Sequence, residues 1–338
     1  MRQGVTPGGC LDVFLMDINK AKMLGLEDAL VRKAIKSKQL SRWRVEWKNQ
    51  VLFYPYNKRS KKAKKAEKAD PAFAISWDEI DDEKLKQRLL KLGIEDALDF
   101  DVQIDSRETE IIRESGINNE SVQKLLKHRV SLGIVKYPNA AKYLVENYER
   151  LQGRVFEKKK FTQHGKRWYE YHRARNPQIM LGSPRILSPT LIREVRFVVD
   201  DTGYLSDHAC LMIQPTKKTE RAWEDFEEKM NQVAGRKLTE KELLQYCVAF
   251  MNSNYAQQRL VTGHRPTPKG SYTITEAYMK EMPIPVPSDK KTVKRIIDLV
   301  NDLGSDGFRL TKKDEVEEME ERVQALVDST LAQTQEER

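Results

Sequence analysis

Pro184-Arg185-Ile186-Leu187-Ser188-Pro189, followed by Val195-Arg196-Phe197-Val198-Val199 and Asp200-Asp201-Thr202-Gly203-Tyr204, is the stretch that sets the fold class. Val195 to Val199 is short and rich in β-branched residues, and charges and an Asp/Gly turn bound it, so it reads as one strand of a small sheet. Just upstream, Trp168-Tyr169-Glu170-Tyr171 interleaves aromatics with charge, and the cations sit between the apolar runs. Cationic loops on a sheet suit a polyanion: guanidinium and ammonium groups neutralise phosphates and aromatic faces stack on exposed bases. Working outward, strand-like runs give way to helical periodicity on both sides. The fold class predicted is α+β, a β-rich domain with a helical insertion and C-terminal helices.

Composition agrees with a polyanionic partner. The 338 residues carry 60 Lys+Arg against 51 Asp+Glu, a formal charge of +9. Charge of this size also serves plain solubility, so its placement carries more information than its total. One cluster, Lys58-Arg59-Ser60-Lys61-Lys62-Ala63-Lys64-Lys65, precedes an acid-rich segment and reads as a solvated loop. A second, Arg154 to Arg167, adjoins the aromatic block, where a binding groove is expected. Cys10, Cys210 and Cys247 are odd in number and far apart, which points to reduced thiols rather than a disulfide framework. No apolar run approaches the roughly 20 residues of a membrane-spanning helix, and the N-terminus lacks a signal-peptide pattern. A cytoplasmic protein is expected.

Along the chain, residues 1–56 form a first unit. Gly8-Gly9 lacks the Lys-Ser/Thr ending of a phosphate-binding loop and reads as a tight turn. Val13 to Met16 reads as a buried strand, Leu24 to Ile35 as a helix-like span, and Arg42–Trp47 with Val51–Tyr56 as a hairpin. Residues 57–136 hold the Lys-rich loop and a helical insertion in which Leu85, Leu89, Val122 and Leu125 recur at helical spacing. Asp99, Asp101, Asp105 and Glu108 within it read as a solvated acidic face. Residues 137–287 resume the domain, with helices predicted over 140–150 and 220–233, and over a third whose entry Thr239 and Glu242 cap reciprocally. Met282-Pro283-Ile284-Pro285-Val286-Pro287 imposes an extended path. Residues 288–338 are a C-terminal helical segment whose Val316, Met319, Val323 and Leu326 form an apolar seam. That seam packs on its own domain or pairs with another subunit.

The order of these landmarks resembles the TaqI-like C-terminal specificity domain of adenine-specific DNA methyltransferases of restriction-modification systems. The resemblance runs from about Gly4 to Leu303. It rests on Gly4-Val-Thr-Pro-Gly-Gly-Cys-Leu-Asp-Val-Phe-Leu-Met-Asp17, Val31-Arg-Lys-Ala-Ile-Lys36 with Leu52-Phe-Tyr-Pro-Tyr56, Tyr137-Pro138, Trp168-Tyr169, Arg185-Ile-Leu-Ser-Pro189, Phe250-Met-Asn-Ser253 and Met282-Pro-Ile-Pro285. It implies a target-recognition domain that reads double-stranded DNA in restriction-modification or phage defence. Chemistry would fall to a methyltransferase and/or restriction domain or subunit that holds S-adenosylmethionine. The Asn-Pro-Pro-Tyr-type motif and the methyl-donor loop of such a partner are missing from this sequence, and Asn176-Pro177-Gln178 is only a fragment of the former. One Asn-Pro cannot clamp a flipped adenine.

Recognition without chemistry assigns roles by side-chain type. Lys158, Lys159, Lys160, Lys166 and Arg167 are candidates for phosphate positioning. Arg154, Gln163, His164, Arg265 and Lys269 are candidates for base reading, with His264 beside them, because bidentate Arg or Gln discriminates base pairs in the major groove. Trp168, Tyr169, Trp43 and Trp47 are expected in the core, as large aromatics beside β-branched strands usually are. Two rivals remain. A metal-dependent nuclease would draw its carboxylates from Asp200, Asp201 and Asp207 with Lys217 nearby, and a subunit-interaction scaffold would use the Val316–Leu326 seam.

Overall fold

The computed structural model describes residues 2–56, 137–156, 158–160, 169–175, 180–182, 184–214, 220–280, 282–305 and 313–336. The Lys-rich cluster, the acidic group at 99–108 and the predicted helical insertion lie outside these residues. The fold is α+β, divided into two compact units.

One unit comprises Val5–Ala34 and Asn49–Leu181. The Gly8-Gly9 pair has φ of 80° and 101°, so it is the turn the sequence predicts. Helix α1 (Leu11–Phe14) leads directly into strand β1 (Leu15–Asp17). The predicted strand at Val13 to Met16 is therefore half helix, with Val13 and Phe14 on the buried side. Asp17 caps helix α2 (Ile18–Met23) by accepting from the Asn19 amide. The helical span expected through Ile35 stops early. Val31–Ile35 is instead strand β2, antiparallel to β3 (Gln50–Phe53), which also pairs with β1. Val31 and Ile35 are β-branched, and the pairing of Val31 with Phe53, Arg32 with Leu52 and Lys33 with Val51 outweighs the helical spacing of the leucines before them. Arg42–Trp47 takes no part in this sheet, so the predicted hairpin does not form. Helices α3 (Pro138–Glu146) and α4 (Tyr148–Gln152) follow, with Pro138 at the first helical position, where its missing N–H costs nothing.

Aromatic side chains fill this unit. Tyr171 meets Phe14 edge-on at 4.8 Å between centroids, and Tyr54 at 5.7 Å. Three buried phenols donate to carbonyls: Tyr171 to Phe53 at 2.6 Å, Tyr54 to Ala174 at 2.7 Å and Tyr143 to Val13 at 2.9 Å. Burial pushes the Tyr54 and Tyr171 hydroxyls far up, so they stay protonated donors. Tyr169 is buried as expected, while Trp168 lies outside the described residues.

The other unit comprises Met1–Gly4, Ile35–Lys48 and Gly182–Arg338. Its main sheet is antiparallel, in the order Arg2–Gln3, β9 (Cys210–Ile213), β6 (Arg185–Pro189) and β8 (Val198–Asp200), and a separate ribbon pairs β7 (Leu191–Ile192) with β10 (Tyr272–Thr273). Gly4 is obligatory: a Cβ there would lie 2.1 Å from the Asp207 carbonyl oxygen. Every position of β6 is buried. The helices are α5 (Glu220–Ala234), α6 (Glu240–Met251), α7 (Asn254–Gly263), α8 (Glu276–Lys280), α9 (Lys290–Gly304) and α10 (Lys313–Glu336). Helix α6 is the centre. It is buried all round from Leu243 to Met251 and packs against β6, β8, α9 and α10. The predicted capping box is present, with Thr239 accepting from the Glu242 amide and Glu242 accepting from the Thr239 amide. Val323 and Val327 of α10 are buried in the same core as Trp43, with Val316, Met319 and Leu326 packed against it. The apolar seam thus packs within its own unit.

Candidate nucleic-acid interface

Two side-chain amides shape the cationic edge of this unit. Asn252, which ends α6, accepts from the Phe197 amide and donates to the Phe197 carbonyl, both at 2.8 Å. Gln257, in α7, accepts from the Val195 amide at 2.8 Å and donates to the Arg193 carbonyl at 3.2 Å. Helical side chains here supply the hydrogen bonds that a neighbouring strand would give, and they hold the chain from the bend at Arg193 and Glu194 through to Phe197. Upstream, Thr190 is pinned by its amide to Ala209 at 2.7 Å and by its carbonyl to the Ile274 amide at 3.1 Å.

The loop after α7 closes on itself. The Thr267 amide donates to Ser271 at 2.7 Å, the Gly270 amide to Thr267 at 2.8 Å, and Gly270 sits at φ 74°. Arg265 and Lys269 are exposed on this loop, while His264 is half-buried with its ring edge-on to Tyr278 at 5.6 Å. Arg193 donates to the Lys269 carbonyl at 3.1 Å, which brings an exposed guanidinium to the loop. The sequence reading missed Arg193. Its signal is only a polar pair, Arg193-Glu194, between buried Ile192 and Val195.

In the unit built on Val5–Ala34, the candidates divide. Lys158, Lys159 and Lys160 are exposed on a hairpin of β4 (Val155–Phe156) and β5 (Lys159–Lys160), with Lys158 at φ 65° in its turn. Arg154 must be corrected. It is 3% exposed, and its guanidinium donates to the carbonyls of Leu151 at 3.1 Å, Pro7 at 2.7 Å and Glu170 at 2.8 Å. Burial lowers its pKa to about 10. A guanidinium spent on three backbone oxygens holds chain segments together and cannot reach a base. Gln163, His164, Lys166 and Arg167 lie outside the described residues. The aromatics beside them also differ from a stacking platform, since Tyr169 and Tyr171 are core.

The carboxylates of the nuclease reading have other duties. Asp200 is buried against Arg185, its Oδ2 accepting from Nε at 3.0 Å and lying 2.8 Å from Nη2. Its Oδ1 accepts from the Thr202 and Gly203 amides, closing the turn. Asp201 pairs with Lys241 at 2.6 Å, and Asp207 accepts from the Ala209 amide at 3.0 Å. Among the described residues no group of three His, Cys, Asp or Glu side chains is placed to hold a metal, and no helix is long and apolar enough to cross a membrane.

Comparison with known protein families finds no match. Among solved structures, the chain is similar to the Type IIL restriction-modification enzyme MmeI in complex with DNA, with a TM-score of 0.42 and 8% identity over 98% of this chain. The chain spans about a third of that enzyme's length, 32%. Likeness at this level establishes no shared function.

Proposed function

We propose that this chain is the DNA-recognition part of a restriction-modification system. A target-recognition domain, interrupted by residues 57–136 and followed by the helical segment 288–338, selects a site on double-stranded DNA. A separate adenine methyltransferase and/or restriction domain, carrying S-adenosylmethionine, performs the reaction in the cytoplasm. The observation that carries this reading is the cationic edge of Arg193, Arg265 and Lys269. Gln257 holds the backbone of Arg193, Lys269 lies within the closed 267–271 loop, and Arg265 is exposed two residues before that loop. Fixed cations on a rigid support lose little entropy on meeting a duplex. Lys158 to Lys160 add exposed ammonium groups suited to phosphate contact.

The test is the affinity of the full chain for a random pool of duplexes across a salt series, with methyl transfer and cleavage measured in parallel. The expected result is binding that falls steeply with salt, an enriched sequence in the retained pool, and no turnover by the chain alone. Salt-insensitive or absent binding, or magnesium-dependent cleavage by the purified chain, would refute the proposal.

A further inference from the structure

Leu191 breaks the burial pattern of its surroundings. In the β7–β10 ribbon, Leu191 pairs with Thr273 and Ile192 with Tyr272. Directly opposed residues share a face, and successive residues alternate between faces. Ile192, 1% exposed, and Tyr272 therefore turn to the core, while Leu191, 54% exposed, and Thr273 turn outward. A lone exposed leucine needs no explanation. This one, however, is bracketed by the Thr190 backbone clamp on one side and by Arg193, tied to the Lys269 carbonyl, on the other. Arg193 and Lys269 are exposed cations joined by that bond, Arg265 is exposed four residues before Lys269 on the same loop, and the Glu194 carboxylate follows Arg193.

A two-stranded ribbon fits the major groove of B-form DNA, and the apolar feature displayed there is the C5-methyl group of thymine. We propose that the outward face of the ribbon enters the major groove, and that Leu191 is a specificity-determining residue whose side chain packs on a thymine methyl. Arg193 holds a flanking phosphate. This inference rests on the DNA-recognition reading and adds to it a position, a groove and a base. The occupant follows from charge complementarity: an apolar tip among cations fits a polyanion that displays methyl groups between its phosphates.

The experiment uses the full chain and the preferred duplex recovered from the random pool. Leu191→Ala is expected to weaken binding to that duplex about tenfold, the size of one lost base-pair contact, with affinity for random duplexes, the salt slope and the melting temperature unchanged. Leu191→Met should retain most of the affinity. Replacing each thymine in turn by deoxyuridine removes only the methyl. At one position the loss should match that of Leu191→Ala, and there the variant should lose nothing further. Arg193→Ala should instead weaken binding to every duplex and flatten the salt slope by about one.

If the wild type selects a sequence but Leu191→Ala leaves the ratio of preferred to random affinity unchanged, the inference falls and the DNA-recognition reading survives. The inference falls in the same way if no deoxyuridine substitution matters, or if Leu191→Ala only dissolves a self-association seen by sedimentation. If the wild type binds no duplex, both fall together.

Discussion

Arg154 and Arg185 are both buried, one in each unit, and they are accommodated differently. Arg185 meets a carboxylate directly across the strand pair β6–β8, so its charge is neutralised where it lies. It also donates to the Tyr204 carbonyl and contacts the Met212 sulfur at 3.2 Å. Arg154 spends its donors on backbone carbonyls, and burial lowers its pKa. The lesson concerns what makes an arginine available to a ligand. In both cases the guanidinium fork is consumed inside the fold, by a carboxylate and a carbonyl for Arg185 and by three carbonyls for Arg154, and neither can serve an outside partner. Arg193 differs because it gives one bond to Lys269 and remains exposed.

Substitutions separate these cases, the largest effect first. Arg185→Ala leaves Asp200 charged, buried and without its guanidinium, and is expected to cost about 3 to 5 kcal/mol in denaturant unfolding. Replacing both Arg185 and Asp200 by leucine should recover part of that loss but not all, because Asp200 also closes the turn at Thr202 and Gly203. Arg154→Ala leaves three carbonyls without their charged donor and should cost about 3 kcal/mol. A cost near zero would restore Arg154 as a candidate for DNA contact.

A surface pair of the same chemistry should matter less. Glu242 lies 2.5 Å from Arg236 and closes the cap of α6 with Thr239. The Arg236 guanidinium, helped by the Thr239 amide and hydroxyl, lowers its pKa from 4.5 to about 2. A carboxylate depressed on folding adds stability that is present above pH 4.5 and is lost as the pH falls towards 2. Thr239→Ala is expected to cost about 1 kcal/mol at neutral pH. Glu242→Gln should flatten the acid limb of a pH–stability curve, and an unchanged limb would contradict the pairing. Smallest of all, Lys158→Ala and Lys269→Ala should change stability by less than about 0.5 kcal/mol, as exposed residues do. Each should still lower the salt slope of DNA binding by about one.

Much of the fold was legible in the sequence because its signals are local. The Thr239–Glu242 capping box, the apolar runs of α6 and α9, and the Asp200–Gly203 turn depend on near neighbours. Val31–Ile35 misled because leucines at helical spacing precede it, while its strand state depends on pairing with residues about twenty positions away. The site was less legible for a related reason. Arg154 and Lys158 look alike in a basic run, yet one is consumed by the carbonyls of Pro7 and Glu170 and the other is exposed on a hairpin turn. Arg193 gave little local signal because its importance comes from Gln257 and Lys269, more than sixty residues downstream.

The central claim is that fixed, exposed cations place this chain on a duplex. Its most direct test is the salt dependence of duplex affinity for the wild type beside the Arg193→Ala/Arg265→Ala/Lys269→Ala triple variant, with melting temperatures as a control. The account predicts a linear fall of log affinity with log salt, a slope shallower by about two to three in the variant, and equal melting temperatures. Equal slopes in two equally stable proteins, or no duplex binding by the wild type, would contradict it.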